Sequence, residues 1–189
     1  MRHNVLHMWS VCLIGIACWL VPTWGMAQGP TLTSHTFRDL GFAMRFPEER
    51  VEFSTKQTTL AGMGAVVDKV EGESDDTEVI VVVRRYRFAE APTYDALHRY
   101  HEELARETSA LGGSAPQVSY QRAPAAEGGL GLEMAVAVNH LGFPAMLVLK
   151  TKPVGLDLYV VKVLAQDLMV AERIMNSFHV LDTSGAVIK

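Results

Sequence analysis

Apolar and polar side chains alternate along most of the chain, which is the pattern of strands with one buried face. Within residues 37–46 the apolar side chains Leu40, Phe42, Met44 and Phe46 fall on one face, which predicts a half-buried strand ended by Pro47. The run 79–83 is apolar on both faces, so it predicts a central strand that is covered on both sides. Further strands are predicted at 51–60, 65–70, 78–88, 118–122, 132–138, 145–151 and 156–164.

The apolar spacing changes to threes and fours in two segments, which predicts two amphipathic helices. The first helix covers 93–111, follows Pro92 and has Asp95 in its positive first turn. The second covers 167–178, and Asp167 is its expected N-cap. Hairpin-linked strands, a long helix, further strands and a terminal helix together predict an α+β fold. We expect an antiparallel β-sheet flanked by helices in a single domain.

The amino terminus has the three parts of a secretory signal peptide. Arg2 supplies the positive start, residues 11–21 form the apolar centre, and small residues precede a predicted cleavage between Ala27 and Gln28. The apolar centre is shorter than a membrane span, so cleavage is favoured over the alternative, an N-terminal membrane anchor. The sequence therefore predicts a periplasmic or secreted protein. Its expected parts are a short tether (28–35), the folded domain (36–183) and a C-terminal tail (184–189).

Composition narrows the chemistry that the mature domain can perform. Cys12 and Cys18 both lie inside the signal segment, so the mature chain has no disulfide, thiolate metal ligand or cysteine nucleophile. The 17 basic and 21 acidic side chains give a net charge of −4, whereas nucleic-acid-binding proteins carry an excess of Lys and Arg. With 49% apolar and 20% charged residues the chain also falls outside the disordered class.

Three motifs resemble the PsbP-like superfamily, which includes bacterial DcrB-like proteins. They are the sequence GFAMRFP at 41–47, the step from Tyr94 to Leu97 in the long helix, and the ending IMNSF at 174–178. The resemblance covers residues 36–181. It implies an α/β/α sandwich around an antiparallel sheet and a non-enzymatic accessory role, and it supplies no catalytic residue.

The long helix carries the first candidate site, a pair of metal-ligating side chains. His98 and His101 are three residues apart, and Glu102 follows them. The order His-Arg-Tyr-His-Glu matches neither zinc-protease motif, His-Glu-x-x-His or His-x-x-Glu-His, and no third ligand is visible. We therefore favour an exposed polar helix face with a His98–Glu102 pair.

The second candidate site is a group of arginines at the end of the predicted central strand. Arg84, Arg85 and Arg87, with Arg99 or Arg106 of the long helix, would form a patch for an anion or a protein partner. The alternative, which we favour, is that these charges mark the place where the strand leaves the core.

The remaining motifs predict ordinary structure. The acidic segment 71–78 lacks the Asp-x-Asp-x-Asp-Gly spacing of a calcium loop, so we expect a solvated hairpin turn. The glycines at 62–64 and 129–131 are interpreted as turns, because neither set has the third glycine or the following helix of a nucleotide loop. Ser114 lacks the Gly-x-Ser-x-Gly context of a hydrolase nucleophile. The mature methionines are expected to fill the core.

No catalytic, cofactor-binding or metal-binding residue is assigned from the sequence. We expect an exported, non-enzymatic accessory protein that stabilises or contacts another envelope protein. The alternative is a periplasmic module that binds a small molecule or a metal on the long-helix face, and a hydrolase assembled from distant residues stays open. An apolar patch between the long helix and the strand ending at Phe88 would favour a protein partner, and a polar cleft there would favour a ligand.

Overall fold

Strands make up most of the regular structure of this protein. The computed structural model describes residues 31–47, 50–60, 62–74, 79–112, 118–122 and 131–188. Within those ranges ten strands and two α-helices follow one another. In chain order they are β1 (Leu32–Phe37), β2 (Phe42–Pro47), β3 (Arg50–Leu60), β4 (Met63–Ser74), β5 (Val79–Phe88), α1 (Tyr94–Ala110), β6 (Val118–Arg122), β7 (Glu133–His140), β8 (Phe143–Val154), β9 (Asp157–Ala165), α2 (Leu168–Met175) and β10 (His179–Val180).

Seven strands form the larger sheet, in the order β3-β4-β5-β9-β8-β7-β6. Every neighbouring pair is antiparallel, and β9 lies in the middle with β5 beside it. The central strand predicted at 79–83 is therefore confirmed, because β5 has a strand on each side and buries Val79, Val81 and Val83 on one face. The single-domain, antiparallel α+β fold predicted from the pattern is also confirmed at this level.

A second sheet, of order β1-β2-β10, packs on one face of the larger sheet. The sequence predicts one strand over 37–46, but a 3₁₀ turn at Arg38–Leu40 interrupts it, and β1 pairs antiparallel with β2. The turn ends at Gly41, whose φ of 68° favours glycine. A Cβ at this position would also lie 2.9 Å from Tyr159 Oη. The single-strand prediction is therefore wrong, because the chain turns at a glycine that a residue distant in sequence approaches closely.

The two faces of the larger sheet bury separate cores. On the first face β2 and α2 contribute Phe42, Met44 and Phe46, together with Ile174 and Met175, and all five side chains are buried. The alternation seen in the sequence of β2 is thus the alternation between core and surface. The helix α1 packs on the second face. Its buried side chains share a cluster with apolar residues of β4, β5, β7, β8 and β9.

Both helices begin where capping chemistry predicts. The hydroxyl of Thr93 accepts a hydrogen bond from the Ala96 N–H at 3.3 Å, and a carboxylate oxygen of Asp167 accepts one from the Met169 N–H at 2.7 Å. The second helix was predicted to continue to residue 178. It ends at Met175 instead, because the chain turns there and β10 then pairs with β2.

The ends of the domain differ from the predicted boundaries. Leu32 lies in β1, so the predicted tether at 28–35 is wrong for its last four residues. The predicted tail at 184–189 is also wrong, because the Ile188 N–H donates to the Val180 carbonyl at 2.8 Å and Val187 bridges to Leu181. The predicted signal peptide, residues 1–27, lies outside the described residues. In the part of the chain that the structure covers, neither helix combines the length and apolarity that crossing a membrane requires.

Candidate functional site

The two histidines of α1 lie in different environments. His98 is exposed, and its Nε2 atom lies 3.4 Å from Glu102 Oε1, so the predicted His98–Glu102 pair is confirmed. His101 was expected on the same exposed face, which is wrong, since only 7% of its surface is exposed. The sequence carried a signal for this burial, because His101 stands four residues after Leu97 and three before Leu104, within the apolar stripe.

His101 belongs to a buried hydrogen-bond network that joins α1 to β8. Its Nε2 atom lies 3.0 Å from Thr151 Oγ1, and that oxygen accepts the Leu132 N–H at 2.7 Å. Burial, and then the nearby His98, lower the pKa of His101 from its ordinary value, so the ring is neutral at pH 7. Across the described residues no group of three or more histidine, aspartate and glutamate side chains is arranged to hold a metal ion.

The predicted arginine patch does not form, because successive side chains of β5 point to opposite faces. Arg85 lies on the first face, where its Nη2 atom is 2.7 Å from Asp157 Oδ2. Arg87 is on the same face, where its Nε atom lies 3.1 Å from Asp68 Oδ2 and its Nη2 atom donates to Asp68 Oδ1 at 3.4 Å. Arg84 faces the α1 side. The sequence-based interpretation as charges near the strand end holds for Arg85 and Arg87, and Arg84 stands apart.

Arg84 lines a pocket that sequence analysis missed, which we call the basic pocket. Its polar wall consists of three cations (Lys56, Lys69 and Arg84) and three hydroxyl groups (Ser54, Thr58 and Tyr86), contributed by β3, β4 and β5. The cavity has a volume of about 390 Å³ and no carboxylate in its wall. The signal was the register of two successive hairpins, β3–β4 and β4–β5, which depends on the length of the turns and is not given by the alternation of apolar and polar residues alone.

A second cavity lies between the three-stranded sheet and α2, and we call it the polar groove. It measures about 680 Å³ and is open to solvent. Arg45 of β2 and Arg173 of α2 project from its walls, and Glu172 is the one carboxylate among its lining residues. His35 and His179 add imidazole groups from β1 and β10. Neither arginine forms an ion pair with any residue that the structure describes.

Ser177 fixes the geometry of the polar groove. Its hydroxyl donates to the Ile174 carbonyl at 2.6 Å and accepts the Arg45 N–H at 2.9 Å, so α2 and β2 are held together beside the groove. Met169 lies on the rim, 77% exposed, although the methionines were predicted to fill the core. That prediction is correct for Met44, Met134 and Met175, which are buried.

A third cavity, of about 280 Å³, lies near the C-terminal end of α1 and is mainly apolar. Lys162 of β9 is its one cationic residue, and the register places it between Val82 and Leu149. Burial, with a further contribution from Arg84, lowers the pKa of the Lys162 ammonium group, and Glu107 opposes this shift. Lys162, which forms no ion pair with any residue that the structure describes, is the second polar feature that sequence analysis missed.

The other predicted motifs have simple outcomes. Gly62, with φ of 83°, lies in the turn between β3 and β4, which confirms the turn interpretation at that residue. The interpretation is wrong for Met63 and Gly64, which already belong to β4. The prediction that the acidic segment 71–78 is a turn is wrong for its first four residues, because β4 extends to Ser74. Its remainder, together with Ser114 and 129–130, lies outside the described residues.

Comparison with known proteins adds no relative to this picture. No family model, no curated protein and no solved structure matches the chain. Function therefore has to be argued from the three cavities and their chemistry.

Proposed function

We propose that this chain is an exported, non-enzymatic binding protein of PsbP-like fold that contacts another envelope protein through the polar groove. The observation that carries the proposal is the unbalanced charge of the groove. Arg45 and Arg173 outnumber Glu172, and neither has an ion-pair partner among the described residues. Arginine is enriched at protein interfaces because its planar fork binds carboxylates with two hydrogen bonds. The expected occupant is an acidic segment of the partner protein.

The dimensions of the groove suit an extended segment. It spans all three strands of the smaller sheet, because the lining residues 34–36 of β1, 43–45 of β2 and His179 of β10 are cross-strand neighbours. Hydrogen-bonding walls with charged ends are typical of peptide recognition. The exposed Met169 gives one apolar contact on the rim, and methionine adapts its shape to different partners.

A non-catalytic role is supported by the hydrogen bonds around the candidate nucleophiles. Among the described residues no serine hydroxyl is bonded to a histidine ring. The hydroxyl–imidazole pair that does form, Thr151 with His101, is buried and lines no cavity. A hydroxyl nucleophile needs an adjacent base and access to substrate. The Thr151–His101 pair has the adjacent base but lacks access to substrate.

The PsbP-like part of the proposal rests on the three sequence motifs and on the layers. Helices lie on both faces of an antiparallel sheet, as the α/β/α arrangement requires, although α2 shares its layer with the smaller sheet. The motif residues Phe42, Phe46 and Phe178 are buried, so the resemblance concerns packing. An alignment of homologues tests the kinship: the motifs at 41–47 and 174–178 should persist, and free variation there would contradict it.

Export is tested by mass analysis of the full-length chain expressed in a Gram-negative host. The expected product is a periplasmic protein whose first residue is Gln28. An uncleaved chain in the membrane fraction would support the anchor alternative instead, and a cytoplasmic chain would contradict export.

The groove is tested with a labelled peptide of alternating Glu and Ser, and a Lys and Ser peptide of equal length serves as the control probe. Fluorescence anisotropy should show saturable binding of the acidic peptide. The double variant Arg45→Gln and Arg173→Gln should weaken it by about tenfold or more, because two charge-assisted hydrogen-bond donors are lost. The matched control is Arg99→Gln with Arg106→Gln, which removes the same charge from the exposed face of α1.

Two outcomes would contradict the groove proposal. One is equal binding of the acidic and the basic peptide, which would remove the role of charge. The other is equal weakening by the groove variant and by the α1 variant, which would indicate a general charge effect without a site.

The second candidate function, a small-molecule-binding module on the long-helix face, is favoured by one observation. On the sheet face that α1 covers, β3, β4 and β5 form a polar pocket with three cations, and a polar cleft favours a small ligand there. The metal-binding form of this candidate has less support, because His98 and His101 face different surroundings.

A further inference from the structure

The cations of the basic pocket are brought together by strand register. In one row across the sheet Ser54 of β3, Lys69 of β4 and Arg84 of β5 are direct neighbours. In the next row Lys56 is opposite Val67, which is opposite Tyr86. Side chains in directly opposite positions are close enough to interact, so Lys69 and Arg84 repel each other.

This arrangement is unfavourable for the sheet on its own. Like charges at opposite positions destabilise an antiparallel pair, and a sheet selected only for stability places opposite charges there. Lys69 is partly compensated by an ion pair with Glu71 on its own strand. Arg84 and Lys56 form no ion pair with any described residue. Two uncompensated cations therefore remain at one cavity.

The rest of the pocket supplies hydrogen-bond donors with fixed positions. Tyr86 is 6% exposed, and its ring meets the ring of Tyr100 edge to face, with centroids 6.3 Å apart. Burial raises the pKa of Tyr100 above its ordinary value, and the Tyr100 phenol is protonated at neutral pH. The hydroxyls of Ser54 and Thr58 enter from β3, the outer strand. Rigid strands hold all these donors.

We propose that the basic pocket binds a small molecule through a phosphate group. Three cations match the double negative charge of a phosphate monoester better than the single charge of a carboxylate. The Arg84 guanidinium can donate two parallel hydrogen bonds to phosphate oxygens, and the hydroxyls complete the shell. The cavity is larger than a phosphate ion, and buried Val67 gives an apolar surface for the organic part of the ligand. The inference rests on the second candidate function and is independent of the groove.

The test is calorimetric titration of the purified mature protein with pyrophosphate, glucose 6-phosphate and acetate, each at constant ionic strength. Pyrophosphate and glucose 6-phosphate should bind saturably, and acetate should bind at least about tenfold more weakly because it carries less charge. Vesicles containing phosphatidylglycerol form a further arm. Binding to vesicles without binding of the soluble phosphates would overturn the small-molecule assignment in favour of a lipid headgroup.

Variants locate the site. Arg84→Gln should weaken pyrophosphate binding by about tenfold or more, while the control Arg99→Gln on the exposed face of α1 should change it by less than about twofold. In the absence of ligand Arg84→Gln should leave the melting temperature unchanged or raise it by about 1–2 °C, because a like-charge contact is removed. Lys56→Gln is the second variant, should Arg84→Gln fail to fold. It should weaken pyrophosphate binding by a factor similar to that expected for Arg84→Gln.

Absence of saturable phosphate binding, or equal effects of Arg84→Gln and Arg99→Gln, would overturn the proposal. The groove provides a separate readout. Since the two sites lie on opposite faces of the sheet, pyrophosphate should not displace the acidic peptide. Loss of peptide binding with intact phosphate binding would reject the groove alone, and the reverse would reject the basic pocket alone.

Discussion

The two faces of the seven-stranded sheet differ in how their polar and charged side chains are paired. The first face packs against a second sheet and a helix. The Phe42 ring contacts three other aromatic rings there, those of Phe37, Tyr159 and Phe178. The charged side chains of β5 on this face are paired, Arg85 with Asp157 and Arg87 with Asp68.

The second face keeps polar groups without such partners. Lys162 is half-buried among apolar neighbours, Arg84 faces another cation, and the Thr108 hydroxyl is buried without a hydrogen-bond partner in the described structure. Each of these features costs stability. The first face also has buried atoms without a hydrogen-bond partner, Asp68 Oδ2 and Arg85 Nε, but both belong to side chains that form ion pairs. Cations retained without an ion-pair partner among the described residues are typical of a surface selected for binding, because functional groups are kept against their folding cost.

The largest expected effect comes from the first face. Phe42→Ala removes a ring that is 1% exposed and contacts three other rings, so it should lower the free energy of unfolding by about 3–5 kcal/mol. Urea denaturation measures this loss. Phe53→Ala is the matched control, because the Phe53 ring is 60% exposed on β3 and its removal should cost less than about 1 kcal/mol. Equal losses would show that the first face is not the main core.

The opposite sign is expected on the second face. Lys162→Met should raise the free energy of unfolding by about 1–2 kcal/mol at pH 7, because a desolvated charge is replaced by an apolar side chain of similar length. Since the pKa of Lys162 is lowered from 10.5, its penalty is complete below the folded pKa. As pH rises through that pKa towards 10.5 the penalty disappears, and the gain should shrink with it.

Lys150→Met is the control for this variant. Lys150 lies on β8 and has Glu133 at 3.5 Å, so its replacement should bring no gain in stability. If Lys162→Met lowered stability at pH 7, the ammonium group would have a favourable partner, and the contrast between the faces would be wrong.

The parts of the fold that the sequence predicts correctly are those that depend on residues close together in the chain. Helix starts at Thr93 and Asp167 and the central position of β5 follow from local patterns, and they were predicted correctly. The break at Gly41 was missed because alternation continues through the turn. Its cause, the approach of Tyr159, is 118 residues away in sequence.

The candidate sites were less predictable than the fold. Both cavities proposed as binding sites join residues from separate elements: Arg45 of β2 with Arg173 of α2, and Lys56 of β3 with Arg84 of β5. Their formation depends on register and on how layers pack, which a single sequence does not determine. The burial of His101, by contrast, could be predicted from its position in the apolar stripe of α1. An exposed position was expected instead because histidine is polar.

A pH-dependent difference between the faces is expected from His101. Its pKa is lowered from 6.5, so below pH 6.5 the unfolded chain takes up a proton that the folded chain resists. Stability should fall by up to about 1.4 kcal/mol per pH unit from this group until the folded pKa is reached. In His101→Gln the fall between pH 7 and pH 5 should be smaller than in the unmodified chain.

The exposed His179 of β10 gives the control for the acid effect. His179→Gln should leave the pH dependence of urea unfolding close to that of the unmodified chain. An acid response that is the same in both variants would mean that carboxylate groups, and not the His101–Thr151 network, cause the loss.

The smallest expected effect concerns one hydroxyl group. Thr108 is 1% exposed in α1, and its Oγ1 atom has no hydrogen-bond partner within the described residues. Thr108→Val replaces that oxygen by a methyl group and should raise the free energy of unfolding by about 0.5–1 kcal/mol. Thr151→Val is its counterpart on the same face, because the Thr151 hydroxyl bonds to His101 and Leu132, and its loss should cost about 1–3 kcal/mol. Opposite signs for these two variants in urea denaturation would show that the second face contains both a satisfied structural network and unsatisfied groups. A lower free energy of unfolding in both variants would mean that the Thr108 hydroxyl has a partner, such as an ordered water molecule. The polar groups of the second face would then destabilise the fold less than proposed.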